Sequence, residues 1–393
     1  MRTICKPSPA VSFVGRHNSG KTTLLVKVIA ELVSRGVNIG TVKHHGHPDF
    51  DIDYPGKDSF RHREAGSCDT VIVSPTRMAR VTALIEEPTC DEVVASMPNH
   101  DLVIVEGYRQ SGLPVIEVIR RANERDLAAA EEFCAKGSVR GAVPCAVVTD
   151  MESVAAAART FGMRAFGLED VSAIADYLQE VFVRPALTVA IQAGGESRRM
   201  GRSKATVPFL GEPLLARIVR RVAPAADELL VTTNEPENLA FLDDMDLPCP
   251  LRLVSDSYSE RGALRGLATA FEAAHNPFVA IVACDMVFAS AELIVSEAAR
   301  MHECGADIVI PCNKFGYEPF HAVYRKATCL PAAQAAVARG DVRARDFYDD
   351  VKLEPFEGDD LRKAVPEGGC FINVNTPEEL AHAERSIREE GDR

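Results

Sequence analysis

The chain has 393 residues, long for one hydrophobic core and sufficient for two domains. Hydrophobic residues make up 46% and charged residues 26%, the balance of an ordinary soluble globular protein. The net charge is −13: residues 1–184 carry 21 Lys and Arg against 24 Asp and Glu (−3), the rest 23 against 33 (−10), so neither part is a basic nucleic-acid binder by bulk charge.

Any anionic ligand must therefore be held by local groups. The 11 cysteines are odd in number and contain no CxxC pair, which argues against a disulfide framework or zinc ribbon and for a reducing cytoplasm. The start, MRTICKPSPAVSF, lacks the apolar core of a secretory signal. The longest apolar runs, such as FVAIVAC, are strand-sized and too short to span a bilayer. The expected setting is cytoplasmic, with neither membrane nor nucleic acid as a partner.

In chain order, β-rich runs alternate with helical patterns, which predicts parallel sheets flanked by helices. Strands are expected at 10–15, 38–43, 69–74, 101–106, 115–120 and 145–150. A second set is expected at 187–193, 228–233, 278–285, 306–311 and 320–324, with a short one at 370–374. VSAIADYLQEVF reads as an amphipathic helix, and Arg184-Pro185 behind it marks the seam, because proline disfavours helix in the residue before it.

After the first strand comes GRHNSGKT, a match to G-x-x-x-x-G-K-[ST] from Gly15 to Thr22, followed by a helix with Leu24, Leu25, Val28, Ile29 and Leu32 on one face. Gly15 and Gly20 let the backbone, with Asn18, Ser19 and Thr23 alongside, turn its N–H groups toward phosphates at a helix N-terminus. Lys21 is placed to reach the β- and γ-phosphates and the Thr22 hydroxyl to ligate Mg²⁺. The bland alternative is a chance glycine turn, which leaves the correct flanks unexplained. Glu106, at the carboxyl end of an apolar strand, is the expected magnesium acid; a solvated strand-end carboxylate is its alternative, and Asp101 lies at the wrong end.

His44, His45 and His47 raise a metal reading, but no matched second ligand set accompanies them, and contact with substrate or packing explains them as well. Asp51, Asp53, Lys57, Asp58 and Arg61 give the same region the mixed charge of a ligand-facing or merely solvated loop. GRHNSGKTTL, TVKHHGH, DFDIDYPGKDSFRHREAG and LVIVEGYR, in this order, resemble the MobB family over most of residues 9–184. The resemblance implies GTP and Mg²⁺ binding with slow hydrolysis at best.

The second glycine loop, AGGESRRMGRSK, follows the strand LTVAIQA and is neither a P-loop nor G-x-G-x-x-G. Ala193, Gly194 and Gly195 allow close approach of a nucleotide, and Ser197 and Gly201 lie in the same turn. Arg198, Arg199, Arg202 and Lys204 concentrate positive charge in an acidic half; a solvated basic turn is the alternative. Such charge stabilises a pyrophosphate leaving group. Asp285 ends the strand FVAIVACD, where it can hold Mg²⁺ or cap the following helix. Asn373 and Asn375 would share one face of a strand and are assigned to the metal and substrate side. Thr376, Pro377 and Glu379 form a capping box for the next helix.

These segments resemble MobA-type nucleotidyltransferases over about residues 187–393, with CDM, EPFHAVYRK and FINVNTPEEL narrowing the match. SERGALRGLATA departs from the family pattern by Ala263 in place of proline, which puts Gly262, Leu264 and Arg265 as contacts in doubt. In that family AGG goes with GTP rather than CTP.

The expected fold class is thus α/β in two domains, a P-loop NTPase-like domain over 1–184 and a Rossmann-like nucleotidyltransferase over 185–393. The resemblance implies transfer of GMP from GTP to molybdopterin with release of pyrophosphate. Lys204, Arg199 and Asp285 would be catalytic, and Asp285, Thr22 and Glu106 would hold Mg²⁺. Cofactor-biosynthesis proteins, molybdoenzyme apoproteins and a homodimer through the N-terminal half are the partners to expect. Transfer from CTP or to a sugar phosphate, and a GTP-dependent cofactor carrier, are the competing functions.

Overall fold

The computed structural model describes residues 6–45, 53–194, 203–258, 260, 262–366 and 369–390. They separate into two compact units, Pro7–Val183 and the residues from Arg184 onward together with Lys6.

The first unit runs β1 (Ala10–Val14), α1 (Lys21–Ser34), β2 (Ile39–Lys43), α2 (Asp58–Glu64), β3 (Asp69–Val73), β4 (Met78–Thr82), α3 (Cys90–Ala95), β5 (Leu102–Glu106), β6 (Val115–Ile119), α4 (Glu124–Lys136), β7 (Ala146–Thr149), α5 (Glu152–Thr160), β8 (Arg164–Phe166) and α6 (Val171–Val181). Six strands form one sheet in the order β2-β5-β1-β6-β7-β8, every pair parallel. Both faces are covered, so β5 reads as an apolar run up to Glu106 and β6 is buried along its whole length, with Glu117 its one charged residue. One core joins Val11, Phe13 and Ile104 to Leu25 and Val28 of α1 and Ile174 and Leu178 of α6. A second joins Ile119 and Val147 to Phe133 of α4 and Val154 of α5.

Two differences from the sequence reading stand out. DTVIVS makes a strand, but it pairs antiparallel with β4 in a separate hairpin instead of entering the sheet. Its apolar side chains are not needed by either core, and Val71, Val73 and Met78 are exposed. The sheet is completed instead by β8, a strand of three residues too short to show a period.

The second unit runs β9 (Leu187–Gln192), β10 (Pro208–Phe209), β11 (Glu212–Pro213), α7 (Leu214–Val222), β12 (Glu228–Thr232), β13 (Leu251–Val254), α8 (Ala263–Ala273), β14 (Phe278–Ala283), α9 (Ala291–Cys304), β15 (Ile308–Asn313), β16 (Gly316–Tyr317), β17 (His321–Arg325), α10 (Lys326–Ala338), β18 (Leu353–Phe356), α11 (Gly358–Ala364) and α12 (Pro377–Glu390). The sheet order is β13-β12-β9-β14-β17-β15-β16, with β18 on β15. Strands β13, β12, β9 and β14 are mutually parallel, and β17 runs antiparallel to β14 and β15. Helices α7, α9 and α12 cover one face, and α8 and α10 the other.

In both sheets the strand before the glycine loop is central. The chain leaves β1 and β9 between neighbours reached from opposite directions, and at such a reversal the carboxyl ends of the strands open a crevice. CFINV is not a strand: its one ladder contact is an isolated antiparallel bridge between Met286 and Asn373.

Candidate functional site

The loop between β1 and α1 has a shape that suits a phosphate. Asn18 (φ 65°) and Gly20 (φ 83°) take left-handed conformations that turn successive N–H groups to one side. A side chain at Gly15 is excluded by space: its Cβ would lie 2.6 Å from the Val118 carbonyl oxygen and 2.8 Å from Ser19 Oγ. Lys21 folds over the loop, donating to the carbonyls of Gly15 (3.1 Å) and Arg16 (2.7 Å) and to Ser19 Oγ (3.3 Å). Burial lowers its pKa, while the carboxylates of Glu106, Asp126 and Glu117 act to raise it. Thr22 Oγ1 donates to Glu106 Oε1 at 2.8 Å, and Lys43 Nζ lies 3.5 Å from the same carboxylate. Thr23 is exposed on the first turn of α1. Asp101 is taken up at the opposite strand end, accepting from the Asn38 N–H at 3.0 Å.

Beneath the loop lies a buried ion pair that sequence reasoning missed. The Arg109 guanidinium grips Glu117 on β6 with both terminal nitrogens. Burial pushes the Glu117 carboxyl up and Arg109 pulls it down. Glu117 looks like an interruption of an apolar run, and its partner sits earlier, in the loop between β5 and β6, at a spacing that matches no strand or helix period. Of the histidines, His44 bonds to Glu87 (2.7 Å) and stacks on Tyr108 at 4.2 Å, and His47 lies outside the described residues. No group of three His, Cys, Asp or Glu suited to a metal ion occurs among the described residues.

In the second unit Lys204 is the meeting point. Its ammonium donates to Asp285 Oδ2 and to Asn375 Oδ1, both at 2.8 Å, across 81 and 171 residues of chain. Asp285 does not cap α9; Ser290 does, accepting from the Leu293 N–H at 3.2 Å. The carbonyl of Asp285 accepts instead from the Val374 N–H (3.0 Å), which ties the two site segments together. The capping box at Thr376 and Glu379 forms, and Glu379 also accepts from the Asn375 N–H at 2.6 Å. Only Asn375 reaches Lys204. Asn373, which a strand would have put on the same face, pairs through its backbone with Met286 and is exposed. Gly195, Ser197, Arg199 and Gly201 lie outside the described residues.

Beside this cluster a cleft of about 340 Å³ opens at the carboxyl ends of β9 and β12. Gln192, Gly194, Thr232, Asp256, Tyr258, Gly262, Ala263, Arg265 and Gly266 are among its lining. Asn234 donates to Asp256 Oδ2 at 2.7 Å and accepts from the Asp256 N–H at 3.3 Å. A Cβ on Gly194 would come to 3.3 Å from Asp256 Oδ2, so glycine keeps that carboxylate accessible. The sequence pointed to neither Asn234 nor Asp256, because each stands alone in a loop behind a strand. Despite Ala263, Gly262 and Arg265 do line the cleft; Leu264 is buried in the core.

The donors suit magnesium. Each cluster offers oxygen only, a single carboxylate with a hydroxyl or amide oxygen, and leaves the remaining positions to phosphates, as Mg²⁺ prefers. At both places the carboxylate already faces a lysine ammonium, so it has a cation partner where a phosphate-bound ion would add another. Cys284, next to Asp285, is buried and its pKa is pushed up to about 12, so it remains a thiol and is no nucleophile.

A lysine-covered glycine loop at the head of one sheet and a lysine–carboxylate cluster beside a cleft at the head of the other belong to a protein that joins a P-loop fold to a nucleotidyltransferase fold. Residues 10–136 match the family described as "Molybdopterin guanine dinucleotide synthesis protein B", and residues 189–355 match the "MobA-like NTP transferase domain". The "Probable molybdenum cofactor guanylyltransferase" of Carboxydothermus hydrogenoformans is 32% identical over 191 residues, 49% of this chain and 91% of that protein. The "Molybdopterin-guanine dinucleotide biosynthesis adapter protein" of Haemophilus influenzae is 34% identical over 127 residues, 32% of this chain and 71% of that protein. The adapter protein of the same description from Escherichia coli is 38% identical over 116 residues, 28% of this chain and 66% of that protein. The chain belongs to the MobB family through its N-terminal part and to the molybdenum cofactor guanylyltransferase family through its C-terminal part.

Proposed function

We propose that the C-terminal part transfers GMP from GTP to molybdopterin cofactor and releases pyrophosphate, while the N-terminal part binds a GTP of its own. The observation that carries this reading is the convergence of Lys204, Asp285 and Asn375 beside a cleft whose carboxylate is open to a base. A phosphate oxygen of the pterin attacks the α-phosphorus of GTP, the bond to the β-phosphate oxygen breaks, and pyrophosphate departs. No protein nucleophile is required; positioning and charge neutralisation supply the acceleration. Lys204 neutralises the phosphates, and Asn375 holds the ammonium in place. Arg199 is assigned to the same charge, with Ala193, Gly194, Gly195, Ser197, Gly201 and Asn373 lining the nucleotide and pterin path. Mg²⁺ would be held by Asp285 here and by Thr22 with Glu106 in the N-terminal part, where it would neutralise phosphate charge.

The base preference follows from hydrogen-bond polarity. The Asp256 carboxylate only accepts, and guanine presents two adjacent donors, N1–H and the 2-amino group. Cytosine and adenine each offer an acceptor ring nitrogen in that place, which a carboxylate repels. The test is pyrophosphate release across the four nucleoside triphosphates with pterin cofactor present. GTP is expected to lead; equal use of CTP would overturn the guanine assignment. Asp285→Ala is expected to abolish transfer and Lys204→Ala to reduce it by about 10²–10³-fold.

In the N-terminal part, Gly15, Asn18, Ser19, Gly20, Lys21, Thr22 and Thr23 are assigned to the triphosphate. The β3–β4 hairpin exposes Val71, Val73 and Met78 together, which supports self-association through this part. Val73→Lys is expected to shift a dimer to monomer in sedimentation; an unchanged mass would remove the hairpin from the interface. The ten described cysteines are all free thiols, which supports a reducing compartment, and among the described residues no helix is long and apolar enough to cross a membrane.

A further inference from the structure

Gln192 ends β9 and lines the cleft. Its backbone carbonyl is employed, accepting from the Cys284 N–H at 3.2 Å. Its side chain is not. The amide nitrogen is buried and has no hydrogen-bond partner among the described residues. An unpaired buried amide costs about 1–3 kcal/mol, and a leucine or methionine of similar volume would fill the place without that cost. The surroundings are nonetheless shaped around the amide. Gly266, in the first turn of α8, would carry a Cβ only 3.2–3.4 Å from the three amide atoms, so even alanine there would press on the group.

The polarity of the cleft shows what the amide is for. Asp256 and Glu260 contribute carboxylates, which only accept. The Arg265 guanidinium is engaged by Glu260 at 2.7 Å. A guanine whose N1–H and 2-amino group face Asp256 brings its O6 acceptor beside them, and this acceptor needs a donor. We propose that the Gln192 amide is the specificity-determining donor to guanine O6, completing a donor–acceptor set with Asp256 in which the protein carries one donor and the base two. This rests on the assignment of the cleft to the guanine base and adds to it the reason for a polar residue at the end of an otherwise apolar strand.

The test uses the full chain and the transfer reaction, so that nucleotide held by the N-terminal part does not enter the readout. kcat/KM is measured for GTP and for 6-thio-GTP, whose sulfur accepts poorly while N1–H and the 2-amino group remain. The wild type is expected to favour GTP by about tenfold, the worth of one such bond. Gln192→Leu is expected to lower kcat/KM for GTP by about ten- to a hundredfold, mainly through KM, and to bring the two nucleotides to near equality. Gln192→Glu, which sets an acceptor against O6, is expected to lose more than the leucine variant. The melting temperature of Gln192→Leu should not fall, because an unpaired amide has been removed.

Separate results overturn separate claims. If Gln192→Leu keeps GTP use within about twofold and the thio preference unchanged while Asp256→Asn is crippled, Gln192 is not the donor and the base assignment stands. If Gln192→Leu and Asp256→Asn are both as active as wild type, the base assignment falls with it. Equal losses on both nucleotides with a lowered melting temperature mark Gln192 as a packing residue and also overturn the proposal.

Discussion

At the scale of single residues, the less expected groups are those the sheet buries without an obvious partner. His321 on β17 and Glu297 on α9 are both completely buried, with His321 Nδ1 3.7 Å from Glu297 Oε1. His321 Nε2 accepts from the Ser290 N–H at 3.1 Å, which puts the ring's single proton on Nδ1. Burial drives the His321 pKa down to about 4, which leaves the imidazole neutral at pH 7, and holds Glu297 well above the usual carboxylate range, toward its protonated form. The signs are opposite. A glutamate with a raised folded-state pKa contributes stability that is lost as pH rises above 4.5, because the unfolded chain releases the proton first. A histidine with a depressed one loses stability as pH falls from 6.5 toward 4, because the unfolded chain takes up a proton. Above pH 6.5 only the glutamate acts, by at most about 1.4 kcal/mol per pH unit. Glu297→Gln is therefore expected to be more stable than wild type at pH 7–8 and to converge with it near pH 4.5. Denaturant titrations at those values decide it; parallel profiles would mean that Glu297 is ionised in the folded protein.

Among secondary-structure elements, the loops between strand and helix are where both proposed sites lie, and in the first of them Gly15 is specified by space. Gly15→Ala would drive a methyl group into the Val118 carbonyl. Overpacking of this kind costs about 1–3 kcal/mol, and here it falls on the cradle itself. GTP binding by the N-terminal part is expected to weaken at least about tenfold with transfer kinetics unchanged, as read by nucleotide titration beside a pyrophosphate assay. A loss of transfer in Gly15→Ala would mean that the N-terminal nucleotide is needed for it.

The elements themselves were largely legible, because buried parallel strands such as LVIVE and LTVAIQ are continuous apolar runs bounded by turns. DTVIVS has the same look and a different place, since an apolar run does not say whether it is covered by helices or left in a hairpin. CFINV failed as a strand for a related reason. Its Val374 N–H goes to the Asp285 carbonyl and its Ile372 N–H turns back to the Gly369 carbonyl, which no strand period anticipates.

For the whole molecule, two sheets each place a lysine and a carboxylate at the exit of a central strand. The expected consequence is one GTP in each half. Lys21→Ala should remove the N-terminal site in a calorimetric titration and leave the other, and Asp256→Asn should do the reverse; loss of both from either change would mean that the sites are not independent. The sequence by itself determined where the strands and glycine loops fall, and with them the P-loop, Lys204 and Asp285, because strand period, glycine spacing and an acid at a strand end are local signals. Only the tertiary structure decided that Asn375 and not Asn373 meets Lys204, that Arg109 neutralises Glu117, and that Gln192 and Asp256 share one cleft. Arg109, in the loop between two consecutive strands, meets Glu117 on the second of them, and the other pairings join residues far apart in the chain; all of them depend on how strands order themselves in a sheet, which hydrophobic period does not encode.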